Sequence, residues 1–121
     1  MRNLKIVILT PDPERFRGAI TLAAAQAALG ASVSIFLQLE AVALLRRPYG
    51  APGDSAHKAK GLPTLAELME DATALGVTFT LCQSGMDLTG LTVVDCDPAA
   101  IIGGPVSFLQ SVDEGDCLLT I

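Results

Sequence analysis

What most constrains this chain is the character of its short apolar runs. Leu4 to Leu9 and Val33 to Leu37 are almost wholly hydrophobic and rich in β-branched residues. A strand with one face in water alternates apolar and polar residues. A near-continuous apolar strand is instead covered on both faces, as in a parallel sheet between helix layers. The segment between the two runs has a helical pattern. From about Glu14 to Leu29 it carries Phe16, Ile20, Ala23, Ala24 and Ala27 at helical spacing, and Gly30 stands where a helix would stop. Strand, helix and strand over this length make a βαβ unit with a right-handed crossover.

The remaining chain continues that alternation. After Glu40 a short helical piece ending at Arg47 runs into Pro48-Tyr49-Gly50-Ala51-Pro52-Gly53-Asp54. This predicts a flexible loop from about 48 to 61, containing His57, Lys58 and Lys60 and long enough to act as a lid. Thr64 and Glu67 are spaced as a capping box, opening a helix that Gly76 ends and whose apolar face is Leu65, Leu68, Met69, Ala72 and Leu75. Val77 to Leu81 reads as a third strand and delivers Cys82. Beyond it the pattern predicts a strand or turn at Leu91 to Val94, a short helix near Asp97 to Ala100 and a strand around Ile101-Ile102. Pro105 is placed to open a helix through about Val112, and Cys117 to Ile121 forms the last strand. The expectation is an α/β fold with a mainly parallel sheet of about five strands. The 121 residues suit one domain and one site rather than an interdomain cleft.

Composition narrows the function classes. Half of the residues are hydrophobic and mean hydropathy is +0.50, which suggests that other subunits cover some apolar surface. No apolar stretch approaches the roughly 20 residues of a membrane-spanning helix. The opening MRNLKIVILTPD has a basic start and a brief apolar run but no small-residue cleavage pattern, so it reads as a first strand rather than a signal peptide. A net charge of −5 with no basic stripe argues against a nucleic-acid partner. Arg46-Arg47 is the one dense basic spot and reads as a solvated helix end. Three cysteines without CxxC spacing and a single histidine do not make a zinc site or a disulfide framework, so no metal or cofactor is expected and free thiols in a cytoplasmic setting fit best.

Ligands of open parallel sheets bind beyond the carboxyl ends of the strands. Those ends offer Thr10-Pro11-Asp12, then Gln38 and Glu40, then Cys82-Gln83-Ser84-Gly85, then Gly103-Gly104. Only Cys82 is a strong nucleophile. A thiol there meets backbone N–H groups and the positive end of a helix dipole, which stabilise a sulfur anion. Gly85, Gly103 and Gly104 permit close backbone approach. Position alone leaves a second reading open, in which Cys82 is a small buried residue finishing a strand. Cys117, at the start of a strand, reads as core packing. Cys96 lies between Asp95 and Asp97, whose charges would raise its pKa. His57 would serve as a base to Cys82 only if its loop folded over. The chain has neither GxxxxGK[ST] nor GxGxxG, a cysteine stands where a receiver domain would have its third-strand aspartate, and Pro11-Asp12-Pro13 is too stiff for a flavin-phosphate loop.

The order LKIVILT, an Ala-rich helix, ASVSIFLQLEAVALL, a Pro/Gly-rich loop, LPTLAELMEDATALGVTFTLCQSGMDLTG and IIGGPVSFLQSVDEGDCLLTI resembles the DsrE/DsrF-like family over nearly the whole chain. The most specific part is Leu62 to Gly90, with its Cys-Gln-x-x-Met-Asp-x-x-Gly string, supported by Gly-Gly-x-x-x-Phe-Leu at Gly103 to Leu109. The resemblance implies a three-layer α/β/α sandwich with a parallel five-stranded sheet, assembled as a trimer or hexamer. It also implies that Cys82 accepts sulfane sulfur as a persulfide from a donor and passes it to another sulfur carrier. Gln83 and the backbone amides of Ser84, Gly85, Gly103 and Gly104 are then the groups expected to stabilise the anionic sulfur, while Asp87 caps a turn. Where the similar branch often has Met-Ser after Cys-Gln, this chain has Ser84-Gly85, a departure that bears on partner or substrate choice. The reading from a different class is a non-catalytic oligomeric subunit or small-ligand-binding module in which Cys82 packs. A metal or cofactor reductase lacks the convergent ligands it would need.

Overall fold

The structure, a computed structural model, describes residues 2–121. Its five strands are β1 Leu4–Ile8, β2 Val33–Leu37, β3 Thr78–Cys82, β4 Ile101–Gly103 and β5 Cys117–Thr120. All neighbours pair in parallel, in the order β4-β3-β2-β1-β5. The helices are α1 Pro13–Ala28, α2 Asp54–Ala59, α3 Leu65–Ala74, α4 Gln83–Thr89 and α5 Pro105–Gln110, with 3-10 segments at Leu39–Leu45 and Val93–Asp95. The α/β class and the parallel five-stranded sheet anticipated from the apolar runs are what the chain adopts. Local chemistry sets the long helices. Asp12 accepts from the N–H groups of Glu14 and Arg15 and Pro13 opens α1. Thr64 and Glu67 form the reciprocal capping box that opens α3.

Strand order determines how each sheet face is covered. The connections β1 to β2, β2 to β3 and β3 to β4 all step in one direction across the sheet, so right-handed crossovers place their helices on one side. The connection from β4 to β5 steps back across the sheet and brings α5 to the other side. Packing agrees. On the first face Ile6, Ile8, Ile35, Leu37, Phe79 and Leu81 are at most 4% exposed, and α1 and α3 lie against each other. On the second face the layer is the six residues of α5. Phe108 of α5 stacks on Phe36 of β2 with ring centroids 5.2 Å apart. Beside that stack Val7 is buried as well, while Lys5, Ser34 and Thr78 form a polar cross-strand row, with Thr80 on the other side of Phe36. Both faces of the sheet thus carry helix, as the sequence led one to expect, but the six-residue α5 covers the second face only in part. Cys117, expected in the core, opens the edge strand β5 and is only half-buried.

The segment from 48 to 61, expected as a flexible loop, contains α2 and is pinned to the body. The first residue of α2, Asp54, accepts from the Arg17 guanidinium at 2.7 Å, the Leu65 amide at 2.9 Å and the Ala51 amide at 3.1 Å. Arg17 is 5% exposed and also donates to Glu14 and to the Pro63 carbonyl, while Glu14 accepts from the Gly53 amide. The Pro and Gly content made this stretch look mobile, but one aspartate fastens it to α1 and to the first turn of α3. Downstream, Leu91 to Val94 is not a strand. Thr92 and Asp95 box a 3-10 turn, and residues 97–100 form a turn rather than a helix, with the Asp97 carboxylate accepting from the Ala99 amide and the Tyr49 hydroxyl.

The bond from the Leu65 amide, followed by those from Arg17 and Ala51, holds the Asp54 carboxyl below its ordinary value of 3.8. A depressed folded-state pKa gives stability that is complete above the unfolded value and is lost as pH falls through the folded one. Asp54→Asn is therefore expected to cost roughly 1–3 kcal/mol near neutral pH and to flatten the acid side of the stability curve below about pH 4. Urea unfolding across pH measures both.

Candidate functional site

Cys82 is the last residue of β3 and the N-cap of α4, with φ −63° and ψ 123°. Its partner in register is Gly103 at the end of β4. Side chains alternate along a strand, so Thr78, Thr80 and Cys82 share the second, half-open face, as do Ile101 and Gly103 across from the last two. A Cβ built on Gly103 would sit 3.2 Å from the Thr80 methyl and 3.6 Å from the Ser107 hydroxyl. Glycine thus keeps the space beside the strand end free. Gly104 is the N-cap of α5 and has no side chain to spend on its helix. Cys82 itself is 3% exposed.

The residues after Cys82 divide into two groups. Gln83 and Ser84 are exposed, and the Gln83 amide reaches the Asp87 carboxylate at 3.4 Å, so Asp87 is engaged within its own helix turn. The first N–H groups of a helix have no intrahelical acceptor. In α4 these belong to Gln83, Ser84 and Gly85, next to Cys82. Gly85 is in addition buried against the 3-10 segment. A Cβ there would collide with the Leu39 carbonyl oxygen and come within 2.9 Å of the Val42 side chain. Leu39 itself has φ +50°, a conformation that residues other than Gly, Asn and Asp seldom adopt. This junction sets where α4 begins, and hence where Cys82 stands. Nothing in the sequence marks Leu39 as left-handed. The proximity of Thr80 was legible, however, in the alternation of Thr78-Phe79-Thr80-Leu81-Cys82. Gly85→Ala is expected to destabilise the fold by about 1–3 kcal/mol through overpacking against rigid backbone, with Gly103→Ala costing less because only a methyl and a hydroxyl must yield. Thermal melts of the two variants make the comparison.

The other candidates lie elsewhere. His57 is in α2 and lines a small cleft with Arg17, Thr21, Leu62, Pro63 and Leu68, among which Cys82 does not appear. Cys96 is buried, faces Arg46 across an isolated bridge, and has its thiol pKa pushed up by burial first and by Asp95 second. Among the described residues no group of three or more His, Cys, Asp or Glu is gathered as metal ligands would be, and no helix is long and apolar enough to cross a membrane.

The profile of the DsrE/DsrF-like family matches residues 4–121. The chain belongs to the DsrE/DsrF-like family. Solved structures agree on the fold. The chain is similar to the ychN protein from E. coli, at 24% identity over 100% of both chains and a TM-score of 0.76. It is also similar to MTH1491 from Methanobacterium thermoautotrophicum, a protein of unknown function, at 15% identity over 100% of both and a TM-score of 0.74. A third, BT1422 from Bacteroides thetaiotaomicron, a conserved protein of unknown function, superposes at a TM-score of 0.66 with 14% identity, over 98% of this chain and 95% of its own. No curated protein sequence matches.

Proposed function

We propose that this DsrE/DsrF-like protein is a sulfur carrier that holds sulfane sulfur on Cys82. Family membership suggests a sulfur-relay type of protein, and the observation that carries the finer reading is the placement of Cys82. It ends an interior strand, at the start of α4, opposite a strand end made of glycine. The Cys82 thiolate attacks the outer sulfur of a persulfide or thiosulfate donor. The donor's S–S bond breaks, its electron pair leaves with the donor's inner sulfur, and Cys82 carries the outer sulfur as a persulfide anion. An acceptor thiolate repeats the step in the opposite sense, with no net oxidation in the cycle. On this reading the backbone N–H groups of Ser84, Gly85 and Gly104, with the Gln83 side chain, stabilise the terminal sulfur. Gly103 lets that sulfur lie against the β4 backbone. One thiol suffices, so Cys96 and Cys117 take no part.

In this reading the working form is a homo-oligomer, a trimer or hexamer, in the cytoplasm. Its exposed apolar residues give a second copy something to cover, with Val94 83%, Val106 70% and Ile101 63% exposed. The rival is a binding module in which Cys82 packs, and the 3% exposure of that residue favours it. Intact mass separates the two. Incubated with a low-molecular-weight persulfide or thiosulfate, the native protein is expected to gain the mass of about one sulfur atom, reversible by reductant. Cys82→Ser is expected to gain none. A native protein that gains nothing from any donor belongs to the module reading.

A further inference from the structure

The second face of the sheet carries a cleft of about 340 Å³, inside the range of roughly 300–1,000 Å³ typical of ligand sites. Its floor is Lys5, Ser34, Thr78 and Thr80, its apolar wall is Ile101 and Phe108, and its far end is Gly103 beside Ser107. Three features mark it as a place for a small molecule. Strands of a parallel sheet are ordinarily apolar on both faces, yet here a lysine and a row of hydroxyls occupy neighbouring register positions. Lys5 is half-buried and has no ion-pair partner among the described residues, where Arg17 makes the salt bridges. Finally, the cleft ends at Gly103, the residue paired with Cys82; Cys82 follows Thr80 on the same face but does not itself line the cleft, so a ligand's sulfur reaches it only past Gly103.

We infer that this cleft seats the small molecule that exchanges sulfur with Cys82, and that the molecule is a small anionic thiol or persulfide. The inference rests on the sulfur-carrier reading and names its substrate class. Its negative group pairs with Lys5, its backbone lies along the hydroxyl row, and its sulfur passes over Gly103 to the thiol. Charge sets the sign, since Lys5 is the one ionisable side chain lining the cleft. The exchange balances as above: the Cys82 thiolate takes the outer sulfur, and the small molecule leaves as its thiolate.

Glutathione persulfide, a tripeptide persulfide with two carboxylates, and its diethyl ester, which has none, serve as donor probes. S-methylglutathione serves as a ligand that cannot react. S-methylglutathione is expected to bind the native protein and the Cys82→Ser variant alike, shifting the amide resonances of Ser34, Thr80 and Gly103. Lys5→Glu and Gly103→Val, the one reversing charge and the other filling the cleft's end, are each expected to weaken that binding by about tenfold or more. Lys5→Glu is also expected to reverse the preference for the acid donor over the ester. A Lys58→Glu control, on α2 and outside the cleft, leaves both unchanged. If S-methylglutathione binds but no donor loads Cys82, the carrier reading fails and the cleft stands as a ligand site. If Cys82 loads while S-methylglutathione shifts no residue of the cleft, or the two donors react equally before and after Lys5→Glu, the cleft assignment is overturned and the carrier reading survives. If Lys5→Glu instead changes the protein's oligomeric mass and no ligand binds, a second copy covers this face and the inference is wrong.

Discussion

The handedness of strand crossovers determines most of what is distinctive here. Three successive connections step the same way across the sheet, so their helices share one side. The return from β4 to β5 must use the other side, and it does so with only six residues of helix. One face becomes a packed core whose central strands are nearly inaccessible. The other is left with a single aromatic stack, Phe36 on Phe108, surrounded by Lys5, Ser34, Thr78 and Thr80. Because alternation along β3 assigns Cys82 to that second face, the same constraint that thins the layer also places the thiol at the edge of the half-covered surface.

Two local devices then fix the strand end. The carbonyl of left-handed Leu39 packs where Gly85 has no side chain, which sets α4 against the 3-10 segment and makes Cys82 its N-cap. On the same side of the sheet Asp54 and Arg17 tie α2, α1 and the start of α3 into one unit. A buried guanidinium is tolerable only when its donors are met, and here two carboxylates and a carbonyl meet them. Neither device touches sulfur. Both act by holding backbone: Gly85 seats α4 beside Cys82, and Asp54 holds α2 to α1 and the start of α3.

The sequence was most informative where hydrophobic pattern and capping chemistry act over short range. The apolar runs fixed β1 and β2, Thr64 and Glu67 fixed the start of α3, and the string after Cys82 identified the family that the profile comparison bears out. It misled where tertiary contacts override composition. Prolines and glycines from 48 to 54 read as a loose loop, yet Asp54 finds partners 37 residues before it and 11 after it, which no local signal announces. The polar, part-open row on the second face was hidden because Lys5, Ser34, Thr78 and Thr80 are scattered in sequence and align only through register. Leu39 offered no hint of its conformation, since leucine has no intrinsic reason to adopt it.

The central claim is that Cys82 is a chemical group rather than a buried filler, and the competition among the three native thiols for a limiting alkylating agent near neutral pH tests it most directly. Exposure alone would label half-buried Cys117 first and leave Cys82 and Cys96, 3% and 1% exposed, equally slow. The account predicts that peptide mass spectrometry finds Cys82 modified well ahead of Cys96 and at least as fast as Cys117. Labelling of Cys117 first, with Cys82 no faster than Cys96, would contradict it.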